Sequence, residues 1–261
     1  LSAVAPDRLS AAADALTAKL ALSTDRWGRP AHRSIAVAPV VDGDILPRTP
    51  WQALAEGRAR DIDLLVGHTR DEHRLFALLD GTLGQVTDDQ AATALRLFAP
   101  GSDGPRRYHT AFPSAGPDEL YERVHADWLF RMPSLHLAEA QAAAGGRAHL
   151  YELTWPAPGL GGVLGACHGL DVPLIFGNLD KGQPAALLGD ATAEAEAVSA
   201  QLRTALLSFA THGDPGWPAY TPADPLTRLV DTAPSVAPYP EDASRLLWED
   251  HEFPVLRLLG G

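Results

Sequence analysis

The sequence predicts an α/β fold in which helices cover a mostly parallel sheet. Short apolar runs of strand length occur at residues 62–67 and 149–154, and longer segments with helical periodicity separate and follow them. Strands that alternate with helices are typical of parallel sheets, because a parallel pair needs a crossover connection. With 261 residues, 46% of them hydrophobic, the chain is long enough to bury a substantial core.

Apolar residues three and four positions apart predict the helices, which lie at residues 7–22, 51–59, 87–98 and 117–144. Pro133 is predicted to kink the last of these, since proline removes a backbone donor. Asp190 is predicted to cap a further long helix that ends at Gly213. Residues 228–248 are predicted to form short extended pieces. We expect residues 1–261 to be part of one domain, with a helical insertion at about residues 87–146.

Charge and composition exclude several classes of protein. Acidic residues outnumber basic ones 33 to 21, for a net charge of −12, which disfavours nucleic acid and anionic membrane surfaces as partners. Cys167 is the single cysteine, so no internal disulfide is possible. No apolar run reaches the roughly 18 residues of a membrane span, and we expect a soluble protein, cytoplasmic or secreted. The chain begins at Leu1, and we expect it to be part of a longer protein.

The most informative stretch is a glycine-rich loop around one histidine. Residues 159–177 read GLGGVLGACHGLDVPLIFG, with five glycines before and beside His168 and an apolar segment after it. Glycine allows a backbone to approach a reacting atom closely, and histidine titrates near neutral pH. The stretch therefore predicts a proton-transfer site, with an ordinary surface loop as the alternative.

A second cluster of polar residues follows the first predicted strand. Residues 67–76 read GHTRDEHRLF, and polar groups at the carboxyl end of a parallel strand lie where active sites form. His68, Asp71, Glu72 and His73 suggest a metal site, although their spacing places the two histidines roughly 140° apart on a helix. The alternatives are a solvated charge cluster and a carboxylate, Glu72, that orients the imidazole of His168.

Four motifs in order carry a resemblance to a known family. They are PVVDGDILP at residues 39–47, LLVG with RDE at 64–72, GACHGLDVP with FG at 165–177, and SFA, GDP and WPAY at 208–220. With these motifs the chain resembles the C-terminal half of the type B carboxylesterases, the α/β-hydrolase family that includes para-nitrobenzyl esterases and cholinesterases. The resemblance implies that Glu72 is the triad acid and His168 the general base. It implies a small-molecule ester as substrate and no cofactor or metal.

The sequence departs from that family in two respects. Thr69 and His73 stand where asparagine and glycine are usual around the acid. No G-x-S-x-G nucleophile elbow and no H-G-G-G oxyanion loop occurs in the 261 residues, and Cys167 beside His168 is a poor substitute nucleophile. The resemblance therefore implies that the serine and oxyanion hole lie in an N-terminal part outside these residues, in the same or a separate chain.

Three further expectations follow. This chain alone should be inactive as an esterase, and half of a parallel sheet should leave an edge that associates with another strand. The apolar wall of the substrate pocket is predicted to include Trp155, Leu170 and Phe176. The alternative functions are a non-catalytic, cholinesterase-like interaction module and a metal-dependent hydrolase.

Overall fold

The structure is a computed structural model that describes residues 2–182, 184–189, 192–257 and 259. The chain divides into two compact units, one comprising Leu1–Thr49 with Glu252–Gly261 and the other Pro50–His251. The first unit contains α1 (Pro6–Leu20) and α2 (Thr24–Trp27). Helix α1 lies where it was predicted, but only Leu20 of its apolar residues is buried. All residues of the candidate site belong to the second unit.

A four-stranded sheet forms the centre of the second unit. Its strands, adjacent in chain order, are β1 (Leu64–Thr69), β2 (Ala148–Leu153), β3 (Leu226–Val230) and β4 (Ser235–Pro238). Strands β1, β2 and β3 run parallel, and β4 is antiparallel to β3. The predicted α/β class with a mostly parallel sheet is confirmed, and both predicted strands are present within two residues of their predicted bounds.

Helices occupy the connection between β1 and β2. They are α4 (Arg74–Leu79), α5 (Asp88–Phe98), α6 (Gly104–Ala111), α7 (Pro117–Ala126) and α8 (Met132–Ala143). A shorter helix, α3 (Pro50–Ala55), precedes β1. Between α7 and α8 the chain makes a wider, π-type turn at Asp127–Arg131. Pro133 lies in the first turn of α8, directly after this wider turn, so the helical run is irregular next to the proline that was predicted to kink it.

The rest of the second unit adds four helices, α9 (Asp171–Phe176), α10 (Pro184–Leu188), α11 (Ala193–His212) and α12 (Asp242–Trp248). Asp190, the predicted cap of α11, lies outside the described residues, and the side chain of Thr192 accepts a hydrogen bond from the Ala195 N–H. The prediction of extended structure up to residue 248 is wrong for α12. Tertiary contacts stabilise that helix, since the Trp248 indole donates to Tyr108 and Ser244 donates to Asp127.

One hydrophobic cluster joins the sheet to the segment that contains His168. Its buried members come from the end of β2, the loop after it, α9, α11 and β3, and include Leu153, Leu164, Cys167, Leu170, Leu174, Val198 and Leu202. The Ser199 hydroxyl donates to the Leu174 carbonyl at 2.6 Å, which fixes α9 against α11. The backbone on both sides of His168 is therefore held by buried side chains. In the described ranges we find no helix with the length and hydropathy of a membrane span.

Candidate active site

The acid loop, residues 70–73, leaves the carboxyl end of β1 and turns sharply into α4. Glu72 is buried in this turn, with 4% of its surface exposed. Its Oε1 accepts a hydrogen bond from the Thr69 N–H at 2.8 Å, so the carboxylate is anchored to the last residue of β1. A carboxylate held in this way has little freedom to rotate.

The histidine loop, residues 159–170, follows β2 and lies against the acid loop. The Arg70 N–H donates to the Leu153 carbonyl, continuing the ladder past the end of β1. One residue later, Asp71 pairs with Cys167 as an isolated parallel bridge. Because β1 and β2 are parallel neighbours, the segments after them emerge at the same edge of the sheet. Residues 96 positions apart in sequence thus become adjacent.

The two residues predicted to act together are in contact. His168 Nδ1 lies 2.6 Å from Oε2 of Glu72. A carboxylate only accepts, so Nδ1 carries the proton and donates it, which leaves Nε2 as the acceptor of the neutral ring. The bond to Glu72 raises the pKa of His168, and partial burial of the ring opposes this increase.

The remaining surroundings of the ring are aromatic and partly open. The rings of Phe76 and Phe130 lie with centroids 5.1 and 4.6 Å from that of His168. The His168 side chain is 41% exposed, and no hydrogen bond to its Nε2 is formed within the described part of the chain. The imidazole is therefore oriented at one nitrogen and accessible at the other, which is what proton exchange with a bound molecule requires.

Cys167 precedes His168 but belongs to the hydrophobic cluster. The thiol is fully buried, and burial raises its pKa to about 12. A thiol reacts as its thiolate, so a pKa this high makes Cys167 inert at neutral pH.

The side chains of the alternative metal hypothesis have different partners. His68 Nε2 lies 2.9 Å from the Tyr239 hydroxyl, and the His73 ring stacks on His125 at 4.3 Å. Asp71 accepts from the histidine-loop backbone, whereas Glu72 accepts from His168. Among the described residues, no three His, Cys, Asp or Glu side chains are arranged to hold a metal ion.

The predicted pocket residues differ in burial. Trp155 and Leu170 are members of the hydrophobic cluster, with 3% and 0% exposed. Phe176, the last residue of α9, is 78% exposed. Their contact with a substrate remains a prediction.

Known proteins similar in sequence are esterases and related hydrolases. A para-nitrobenzyl esterase of Bacillus subtilis (strain 168) is 30% identical over 214 residues, which are 79% of this chain and 42% of that protein. A phenmedipham hydrolase of Pseudarthrobacter oxydans is 28% identical over 206 residues, 75% of this chain and 40% of that protein. The chain thus spans about two fifths of the length of these relatives. No family model matches the chain.

Solved structures agree with the sequence comparison. A PNB esterase has a TM-score of 0.71 at 27% identity, covering 96% of this chain and 49% of that one. A carboxylesterase of Geobacillus stearothermophilus has a TM-score of 0.69 at 29% identity, covering 92% of this chain and 55% of that one. The homologues of this chain are para-nitrobenzyl esterase and cholinesterase-like carboxylesterases, as the sequence motifs predicted. The fold of this chain is the corresponding part of an α/β hydrolase.

Sequence reasoning missed two residues beside His168. Phe130 reaches His168 from the wide turn between α7 and α8, and no local spacing predicts that contact. Asp171 lies only three residues after His168, and this short separation in the sequence could have predicted a second carboxylate near the ring. Burial and the nearby charge of Glu72 raise the pKa of Asp171, to which the Tyr151 hydroxyl donates at 3.4 Å.

Proposed function

We propose that this chain supplies the orienting acid and the general base of a serine carboxylesterase. The observation that supports the proposal best is the 2.6 Å hydrogen bond between Glu72 and His168 Nδ1. Glu72 holds the ring in the tautomer whose Nε2 is a base, and its charge stabilises the imidazolium that forms during reaction. The partial exposure of the ring leaves room for a nucleophile and substrate to approach.

The proposed reaction has two stages with the same proton carrier. Nε2 of His168 accepts the proton of a serine hydroxyl as the oxygen attacks the ester carbonyl, and the imidazolium then protonates the departing alkoxide. Water attacks the acyl-enzyme with His168 again as the base, which releases the acid and restores the serine. The printed names of the relatives, para-nitrobenzyl esterase and phenmedipham hydrolase, support small-molecule esters or similar acyl compounds as substrates.

The nucleophile is proposed to come from polypeptide outside these 261 residues. The sequence contains no G-x-S-x-G, and the chain spans only about two fifths of its relatives. An N-terminal part, in the same polypeptide or as a second chain, would supply the serine and the oxyanion hole. By itself the chain is then inactive, because removing the nucleophile abolishes nearly the whole contribution of a triad.

The edge of the sheet supports this arrangement. Strand β1 is the end strand among the described strands, so one edge of Leu64–Thr69 has no strand partner there. Its first four residues are only partly buried. An open parallel edge accepts a further strand readily, and we place the additional polypeptide along it.

The test compares the purified 261-residue chain with a longer polypeptide that includes the residues encoded before Leu1. We expect hydrolysis of a para-nitrophenyl ester, blocked by a serine-directed phosphonate, from the longer polypeptide alone. His168→Asn should abolish that activity, whereas His212→Asn, at the exposed end of α11, should preserve it. Phosphonate-sensitive burst hydrolysis by the 261-residue chain would refute the proposal. Inactivity of the folded longer polypeptide would favour the interaction module.

A further inference from the structure

Asp71 and Glu72 are adjacent carboxylates that contact different parts of the histidine loop. The Asp71 N–H donates to the Ala166 carbonyl at 2.8 Å, and the Ala166 N–H donates to Asp71 Oδ2 at 2.8 Å. Both polar backbone groups of Ala166 are thus bound by one residue of the acid loop. Two residues later in the chain, His168 donates to Glu72.

Close packing around Gly165 shows how tightly Asp71 fits the histidine loop. Gly165 has a φ of +58°, a left-handed conformation that favours glycine. A Cβ at this position would overlap Asp71 Oδ2, so the carboxylate lies directly against the Gly165 backbone. Asp71 is 7% exposed, which places this contact away from bulk water. Only glycine is compatible with both the conformation and the contact.

The charge of Asp71 is balanced by neighbouring arginines. Its carboxylate lies 3.6 Å from Arg70 and 3.4 Å from Arg74. Arg74 is itself held by Glu122 at 2.9 Å. Hydrogen bonds and ion pairs to charged groups are stronger than neutral ones, so the contacts of Asp71 with the arginines and with the Ala166 N–H hold it firmly in place.

The geometry points to Asp71 as a positioning residue that latches the histidine loop to the acid loop and keeps His168 within hydrogen-bonding distance of Glu72. Two hydrogen-bonded links join the same two loops. Asp71 binds the backbone of Ala166, and Glu72 binds the ring of His168. Without the first link the histidine loop can move away, and the 2.6 Å contact loses its support. The relevance of the latch to ester hydrolysis rests on the function proposed above, but its effect on His168 does not.

The test follows His168 by NMR in the isotope-labelled 261-residue chain, so it needs no esterase activity. Asp71→Ala removes the acceptor and should lower the measured pKa of His168 and weaken the downfield Nδ1–H signal. Glu72→Gln should have the same two effects directly. Asp71→Asn keeps an oxygen that can accept from the Ala166 N–H and should preserve most of both signals. Asp103→Asn, which removes a carboxylate that binds Arg106 on the surface, is the matched control and should change neither.

Three outcomes would overturn the latch. A folded Asp71→Ala chain with the wild-type His168 pKa would show that the loop needs no such link. An equal loss in Asp71→Asn and Asp71→Ala would assign the effect to charge instead of the hydrogen bond. If Asp71→Ala does not fold, the amide hydrogen exchange of the wild-type chain tests the latch instead. The latch predicts slow exchange of the Ala166 N–H, and fast exchange would contradict it. Inactivity of the longer polypeptide would refute the proposed function and leave these results unchanged.

Discussion

His168 Nδ1 lies 2.6 Å from Glu72 Oε2, and the other oxygen of that carboxylate accepts from the Thr69 N–H at 2.8 Å. The histidine is thus connected through one buried side chain to the end of β1. The His168 ring keeps the orientation that the strand imposes on Glu72, while its Nε2 side stays open.

Glu72→Gln should lower the pKa of His168, because the hydrogen bond that raises it is lost. A histidine whose pKa is higher in the folded state than in the unfolded chain stabilises the fold. This stabilisation is fully present at a pH below the ordinary histidine pKa of about 6.5, and it is lost as the pH rises through the pKa of the folded state. In the longer polypeptide, activity should rise with pH as His168 becomes neutral. The midpoint of this pH–rate profile should be lower in the Glu72→Gln variant, and its kcat should be reduced on the order of 10⁴-fold. NMR titration and a pH–rate profile measure both effects. Unchanged values in the variant would refute the assigned role of Glu72.

Glu152 should make the fold less stable as pH rises. It is fully buried on β2, both its oxygens lack a hydrogen-bond partner in the described structure, and burial raises its pKa to about 8. Since the folded state holds this proton more tightly than the unfolded chain, stability falls between about pH 4.5 and pH 8. Glu152→Gln should be more stable than wild type at pH 9 by on the order of 2–4 kcal/mol. Urea unfolding measures this difference, with the exposed Glu249→Gln as control.

Gly165→Ala should destabilise the chain more than Gly162→Ala. Both glycines have left-handed backbone, with φ of +58° and +78°, so both substitutions carry about 1 kcal/mol of conformational cost. A Cβ at Gly162 meets open space, whereas a Cβ at Gly165 would overlap Asp71. We expect an additional cost of about 1–3 kcal/mol at Gly165. Equal unfolding free energies of the two variants would contradict the packing described for this loop.

Leu65→Pro should reduce self-association of the isolated chain. The Leu64 N–H donates to the Arg147 carbonyl on the β2 side, so the next N–H along β1, that of Leu65, points to the open edge. Proline at Leu65 removes an edge donor without breaking the β1–β2 ladder, whereas Val66→Pro interrupts that ladder and should unfold the strand. Sedimentation and circular dichroism separate the two effects. Wild-type association of a folded Leu65→Pro chain would argue against β1 as the pairing edge.

Cys167 should resist alkylation in the native chain. Its thiol is buried and its pKa is about 12, so little thiolate is present at pH 8. Iodoacetamide should modify it at least 100-fold more slowly than in the chain unfolded by guanidinium, a rate that mass spectrometry measures. Rapid native modification would show that Cys167 is not held in the hydrophobic cluster.

Local pattern was sufficient to predict the elements that carry the site. Residues 62–67 and 149–154 are apolar runs of strand length, and Glu72 and His168 follow them in loops. Because parallel neighbours end at the same edge of a sheet, the pairing of these loops could be predicted before any coordinates. The contact between the acid and the histidine follows from that topology.

Other contacts between distant segments were not predictable in this way. Helix α12 was predicted as extended structure, since its stability depends on Tyr108 and Asp127, which lie over 100 residues away in sequence. Phe130 lies within the wide turn at Asp127–Arg131 and contacts His168, which is 38 residues away in sequence. The side chains around the end of β1 likewise have partners that are distant in sequence, His68 with Tyr239 and Glu72 with His168.

Residue type and spacing were enough to identify the acid and the histidine that follow the strands, the glycines around the histidine, and the lack of a serine elbow in these residues. The folded arrangement was needed to learn how the two adjacent carboxylates divide their contacts, Glu72 to the ring of His168 and Asp71 to the backbone of Ala166. Residue type and spacing are local properties. The partner of a buried hydrogen-bonding group is set by the register between segments that are distant in sequence.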